Sequence, residues 1–252
     1  MNDLTRSARH LRNVRGGEIN DSRREFIRAK ADELIRKLWQ LEKSRRGPNL
    51  RFRQLLPLQP KQIVTELLSL QYNEPEEIGD LRVGTLRVRL AGLLDRDKSL
   101  IAVSARLDPD IRRFTAAHEI GHFVLHREIT SLREDPRTDA ALRAPLRSVR
   151  EREADLFAAH VLMPPRFFNQ VFSNLWGDDD IDCDHLDDDH AYYLTQGKLS
   201  ARDISKLSRL GRAKLVAREI PMTTADALPM TKIFGLSPTA TGIHLLDLGR
   251  VR

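Results

Sequence analysis

His118 and His122 stand four residues apart with Glu119 directly after the first of them. On a helix this spacing sends both imidazoles out of one face, where two ring nitrogens can grip a single ion. Glu119 lies beside them, placed to take a proton from a metal-activated water. The chemistry such a set could do is metal-assisted hydrolysis. A plain amphipathic helix carrying two surface histidines would show the same letters.

His118-Glu119-Ile120-Gly121-His122 fits the HExxH arrangement of zinc peptidases. Catalytic zinc usually has three protein ligands and one open position, so a third ligand is expected from another helix. Downstream, Glu151 and Asp155 are again four apart, with Glu153 between them. One carboxylate can complete the site while another accepts the free N–H of a ligating imidazole. The alternative is that these acids only favour a helix N-terminus through its dipole. Glu151 and Glu153 both remain candidates for the third ligand. His126 continues the 118/122 face, but it lies about 6 Å further along the axis at 1.5 Å per residue. It is read as a neighbour rather than a ligand, and His160 as a packed or surface histidine. Tyr192, Tyr193, His185, His190 or an arginine could stabilise an oxyanion, and the sequence does not rank them.

These two segments resemble the ImmA/IrrE family of zinc metallopeptidases. The likeness rests on Arg113-Phe114-Thr115-Ala116-Ala117 leading into His118–His122, and on the acidic helix from Glu151 through Pro164. It covers about residues 60–168, and more weakly Ile233–Ala240, which looks like a closing helix-turn-helix. The resemblance implies that His118, His122 and Glu151 bind zinc, that Glu119 is the general base and that Asp155 orients a histidine. Glu153 stays the competing ligand. Glu151 is preferred because similar gluzincin peptidases place the ligand glutamate four residues before that aspartate.

The elements that must position these residues are legible in outline. Asp21 or Ser22 can cap a helix over about 22–45, with Ile27, Ala31, Leu34, Ile35, Leu38 and Leu41 as its apolar stripe and Arg24, Arg28, Arg36 and Lys43 opposite. Gly47-Pro48 ends it. Pro60 opens a second short helix with Ile63, Val64, Leu67 and Leu68 inward. Leu86–Leu90 alternates with arginines, Asp95-Arg96-Asp97 turns, and Leu100–Val103 follows, which predicts a hairpin. Asp108-Pro109-Asp110 starts the helix that carries the histidines. The expected fold class is α+β: a small, mostly antiparallel sheet beside the two motif helices, with helical extensions at both ends.

The net charge of +6 over 252 residues is unevenly spread. Residues 1–53 hold 15 Lys and Arg against 7 Asp and Glu, so the arm alone carries +8 and the remainder −2. Four regions are expected: a partly flexible, basic helical arm over 1–53, with residues 1–20 as its lead-in; a metallopeptidase core over 54–175; an acidic connector over 176–190; and a helical region over 191–252. The connector holds eight acids in residues 178–190 without the glycine and terminal glutamate of a calcium loop, and reads as solvated and mobile. In the last region, Thr239, Thr241, His244 and Asp247 would face a DNA groove, which is poor phosphate-binding chemistry. Packing or partner recognition is the better use.

One cysteine, no apolar run of about 18 residues and no signal-like N-terminus point to a cytoplasmic protein without a membrane partner. By the resemblance, the expectation is a Zn2+-dependent endopeptidase acting on a specific protein, a helix-turn-helix transcriptional repressor, to switch on stress or mobile-element genes. The competing expectation is a regulatory DNA- or repressor-binding protein whose metal is structural. Nucleic acid could meet the basic arm in either case.

Overall fold

Helix α1 (Asp21–Arg46) begins where the Asn20 side chain accepts a hydrogen bond from the Arg23 backbone N–H. The cap is therefore Asn20, one residue before the expected Asp21. The helix ends at Gly47, whose positive φ suits a residue without Cβ. Ile27, Ala31, Leu34, Ile35 and Leu38 are buried, as their spacing predicts. These statements come from a computed structural model, which describes residues 19–83, 86–127, 131–134, 148–221 and 227–252. Most of the lead-in expected over residues 1–20 lies outside the described residues.

The chain divides into two units. The first takes the chain up to Pro48, together with Gln59–Asp108 and Arg112–Val161; the second takes Asn49–Leu58, Pro109–Ile111 and Leu162–Arg252. Among the described residues the strands form one sheet in the first unit, and helices make up most of the rest. The fold class is α+β.

In the first unit a short α2 (Pro60–Gln62) continues as a wider turn over Ile63–Leu67, burying Ile63 and Val64. The sheet is built on β3 (Leu86–Asp95). Its first half pairs antiparallel with β2 (Asp80–Val83), and its second half with β4 (Leu100–Val103) and β5 (Ser131–Glu134). The β3–β4 pair is the expected hairpin, closed through Arg96–Ser99. β1 (Gln71–Asn73) runs parallel to β4, so the sheet is mostly antiparallel. Leu94, Ile101 and Val103 are fully buried, as are Ala116, Ala117 and Ile120 of α3 (Pro109–Leu125) and Ala154, Phe157 and Ala158 of α4 (Val149–Leu162).

The arginines of α1 are not a purely solvated face. Arg23 forms a two-pronged bond to Glu153, and Arg28, expected opposite the apolar stripe, donates to His160 across to α4. Lys30 and Lys37 share Glu33, while Arg45 and Arg46 reach the buried Glu42. Of these pairs, Arg23–Glu153 is the one that sets an acid from outside the arm against its net positive charge.

The second unit contains α5 (Pro165–Trp176), α6 (Asp188–Thr195), α7 (Ala201–Ser205), α8 (Arg209–Arg218), α9 (Met230–Phe234) and α10 (Pro238–Asp247). Phe168, Phe172, Phe234 and Leu245 form its core. At Gly242, a Cβ would stand 3.0 Å from the Lys214 backbone nitrogen, so α10 and α8 touch backbone to backbone there. Thr241 and His244, expected on a groove-facing side, are buried, and His244 contacts the Met163 carbonyl.

The acidic segment is solvated, as expected, and is tied to the chain's C-terminal residues and to Arg212. Ile181 bridges to Val251, Asp180 pairs with Arg250 and Arg252, and Asp184 pairs with Arg212. All eight acids of the run stay exposed, Arg212, Arg250 and Arg252 offset the charge of two of them, and Cys183 is buried. Among the described residues no helix is long and apolar enough to cross a membrane.

Candidate metal centre

Helix α3 begins at Pro109 behind Asp108 and carries His118 and His122 on consecutive turns. Both are buried, and their Nε2 atoms lie 3.0 Å apart. Helix α4 presents Glu151 from its first turn. One carboxylate oxygen is 3.2 Å from His118 Nε2 and the other 3.1 Å from His122 Nε2. Two imidazoles and one carboxylate on two helices therefore meet in a small triangle of groups, a donor atom from each lying within 4.8 Å of the others. In a tetrahedral site with metal–ligand bonds of about 2.0–2.2 Å, donor atoms sit roughly 3.3–3.5 Å apart. The two imidazole nitrogens, 3.0 Å apart, are a little closer than that, and each faces its own oxygen of Glu151 at 3.2 or 3.1 Å.

Gly121 permits this approach. A Cβ at this position would stand 3.1 Å from Cα and the carbonyl oxygen of Ala154, so the backbones of α3 and α4 are nearly in contact. Any side chain there would push Glu151 away from the histidines.

Each imidazole is also held from behind. His118 Nδ1 is 2.8 Å from Asp155. His122 Nδ1 is 3.0 Å from His126 Nδ1, and His126 Nε2 is 2.8 Å from Glu153. Burial works to raise the Glu151 carboxyl, but hydrogen bonds with His118 and His122 outweigh it and hold the group below the usual carboxylate range. Glu153 follows the same pattern: burial opposes ionisation, and Arg23, then His126, overcome it. Burial lowers His126.

Glu119 is fully buried beside the sheet. At Gly92 of β3, a Cβ would lie 2.7 Å from Glu119 Oε1 and equally near Thr115 Cγ2. The glycine therefore leaves room for the carboxylate. From the hairpin turn, Arg96 donates to the carbonyls of His122, Phe123 and His126, each at 2.9 Å, and its guanidinium lies over the Phe123 ring. It satisfies the carbonyls that a helix end leaves open, where a cation also suits the dipole.

Residues 81–190 match the family model of the IrrE N-terminal-like domain, peptidase family M78. The match spans 110 of the 252 residues and is a likeness of that segment. No curated protein matches the chain. The IrrE N-terminal-like segment contains His118, Glu119, His122, Glu151, Glu153 and Asp155, so the match to a peptidase family falls on the residues of the triangle.

Of the residues predicted from sequence, the structure brings His118, His122, Glu151 and Asp155 together. Glu153 is placed away from the triangle, with its carboxylate taken up by Arg23 and His126. His160 is buried and receives the Arg28 guanidinium. Tyr192 and Tyr193 are exposed in the second unit, where His185 and His190 pair with Asp182 and Asp187. Sequence reasoning missed Arg23, Arg96 and Gly92, which carry no local signature. His126 did carry one, since its spacing extends the face shared by His118 and His122.

Proposed function

We propose that the protein is a zinc-dependent endopeptidase whose ligands are His118, His122 and Glu151. The observation that carries this reading is the meeting of two imidazole Nε2 atoms, 3.0 Å apart, with the two oxygens of one carboxylate at 3.2 and 3.1 Å, inside a segment that matches a peptidase family. Two neutral imidazoles and a carboxylate suit zinc, and each imidazole has a hydrogen-bond partner behind it. A set of three donors among the described residues also favours catalysis over a structural site, which normally closes with four protein ligands.

When bound, zinc supplies Lewis acidity, which eases deprotonation of water and polarises a peptide carbonyl. Asp155 and His126 keep the imidazoles turned so that Nε2 points toward the triangle. Glu119 accepts the proton of the attacking water and passes it to the departing amine nitrogen. The water oxygen adds to the carbonyl carbon first, and the C–N bond then breaks once the nitrogen has taken the proton, giving a carboxylate and an amine.

The substrate we propose is a helix-turn-helix transcriptional repressor, whose cleavage would release stress or mobile-element genes. This finer reading is supported by resemblance to the ImmA/IrrE family. The test uses the zinc-loaded protein and a purified repressor encoded beside it. Glu119→Gln should keep its zinc and lose cleavage by about 10²–10⁴-fold. Undiminished cleavage by Glu119→Gln would overturn the mechanism, and an intact repressor beside a cleaved general substrate would overturn the repressor assignment.

A further inference from the structure

His122 and His126 face each other through their Nδ1 atoms at 3.0 Å. Two ring nitrogens can share a hydrogen bond only if one of them carries the proton. Under the metallopeptidase reading, His122 offers its Nε2 lone pair forward, so its proton sits on Nδ1 and is donated to His126. His126 Nδ1 is then an acceptor, and its own proton sits on Nε2. That N–H meets Glu153 Oε2 at 2.8 Å. Glu153 is 6% exposed, and Arg23 grips both of its oxygens at 2.8 and 2.7 Å. Each ring N–H in this chain of four side chains has an acceptor, and under that reading only one arrangement of protons on the two imidazoles satisfies it.

The two histidines of the triangle are thus supported differently. His118 meets a carboxylate directly, at Asp155. His122 meets one through an intervening imidazole, and that carboxylate is neutralised by a guanidinium from α1. A buried carboxylate without this counter-charge would be costly to keep ionised. We infer that Arg23, Glu153 and His126 form a positioning brace for His122, and that α1 is thereby part of the metal centre. The inference rests on the ligand assignment proposed above and extends it to a helix outside the IrrE N-terminal-like segment.

The experiment measures Zn2+ affinity of the full chain by competition with a chromophoric chelator, alongside the visible spectrum of the Co2+-substituted protein. His126→Ala should weaken Zn2+ binding by about 10–100-fold and alter the cobalt bands, the scale on which partners behind a ligand act. Glu153→Ala should weaken binding in the same direction. Arg23→Ala should weaken it in the wild-type background but add nothing to Glu153→Ala, because the two act in series. Arg28→Ala, which removes a different α1–α4 contact, should leave affinity and spectrum unchanged. Where His126→Ala does not fold, His126→Gln serves in its place with a smaller loss. If the wild type binds Zn2+ and neither His126 variant changes affinity or spectrum, the brace is overturned alone. An Arg28→Ala loss equal to that of Arg23→Ala overturns it too, reducing the effect to helix packing. A wild type that takes up no Zn2+ overturns the ligand assignment and the brace together.

Discussion

Gly92 and Glu119 are locked to each other: a methyl group on the strand glycine would stand 2.7 Å from the helix carboxylate. Gly92→Ala should therefore displace Glu119 while leaving the triangle of His118, His122 and Glu151 intact. Misplacement of a reacting group by about an ångström can cost on the order of 10²-fold in rate. Steady-state kinetics on a cleavable peptide should show that drop in kcat, with zinc content near one per chain. Lost zinc with kcat per bound metal unchanged would contradict this placement.

Gly121 controls a different quantity. Gly121→Ala forces a methyl into the Ala154 backbone and Phe157, at 3.1 and 3.3 Å. Separating α3 from α4 should weaken zinc binding and cost about 1–3 kcal/mol of stability, the usual range for overpacking. Isothermal titration with Zn2+ and urea unfolding read the two effects separately.

Arg96 ties the hairpin to the end of α3 through three carbonyls. Hydrogen bonds from a charged donor to partly buried acceptors contribute about 1.5–3 kcal/mol. Arg96→Ala should lower the unfolding free energy by about that amount, measured by urea denaturation in chelator so that metal loss does not enter.

Cys183 is buried, and desolvation pushes its thiol up to about 11. The folded state therefore holds its proton longer than the unfolded chain, whose thiol ionises near 8.5. Stability from this group is complete below about pH 8.5 and declines as pH rises toward 11. Cys183→Ser should flatten that alkaline decline in a series of melts. In the native protein at pH 9, the thiolate fraction is about 1%, so alkylation should be slow until the chain is unfolded.

Val251 is fully buried and lies beside Ile181. Val251→Ala should cost about 2 kcal/mol from two lost methyl groups and the space they leave. The acidic segment should become more sensitive to protease at Asp178–Asp184, visible by mass spectrometry of limited digests.

What could be read from the sequence was whatever repeats locally. Ile27 to Leu38 announces a helix by its period, Leu86 to Val103 a hairpin by its alternation, and His118 to His122 a shared face by its spacing. Long-range pairings left no such mark. Nothing near Arg23 points to Glu153, because the pairing exists only once α1 lies on α4. The pairings of the run at Asp178–Asp189 were illegible for a related reason: Arg212, Arg250 and Arg252 are distant in sequence and met only after folding. His126 could have been weighed more heavily, since a histidine on the ligand face one turn on is well placed to touch the ligand's back.

The boundary of the IrrE N-terminal-like segment and the boundary of the folded unit do not coincide. A piece cut at residues 81–190 would bare the α4 surface that Arg23 and Arg28 cover and leave Glu153 without its guanidinium. Ile63 and Val64, both buried in the first unit, would be missing from its core. For expression of a self-sufficient fragment, the usable start is therefore no later than Asn20, where the helix cap forms.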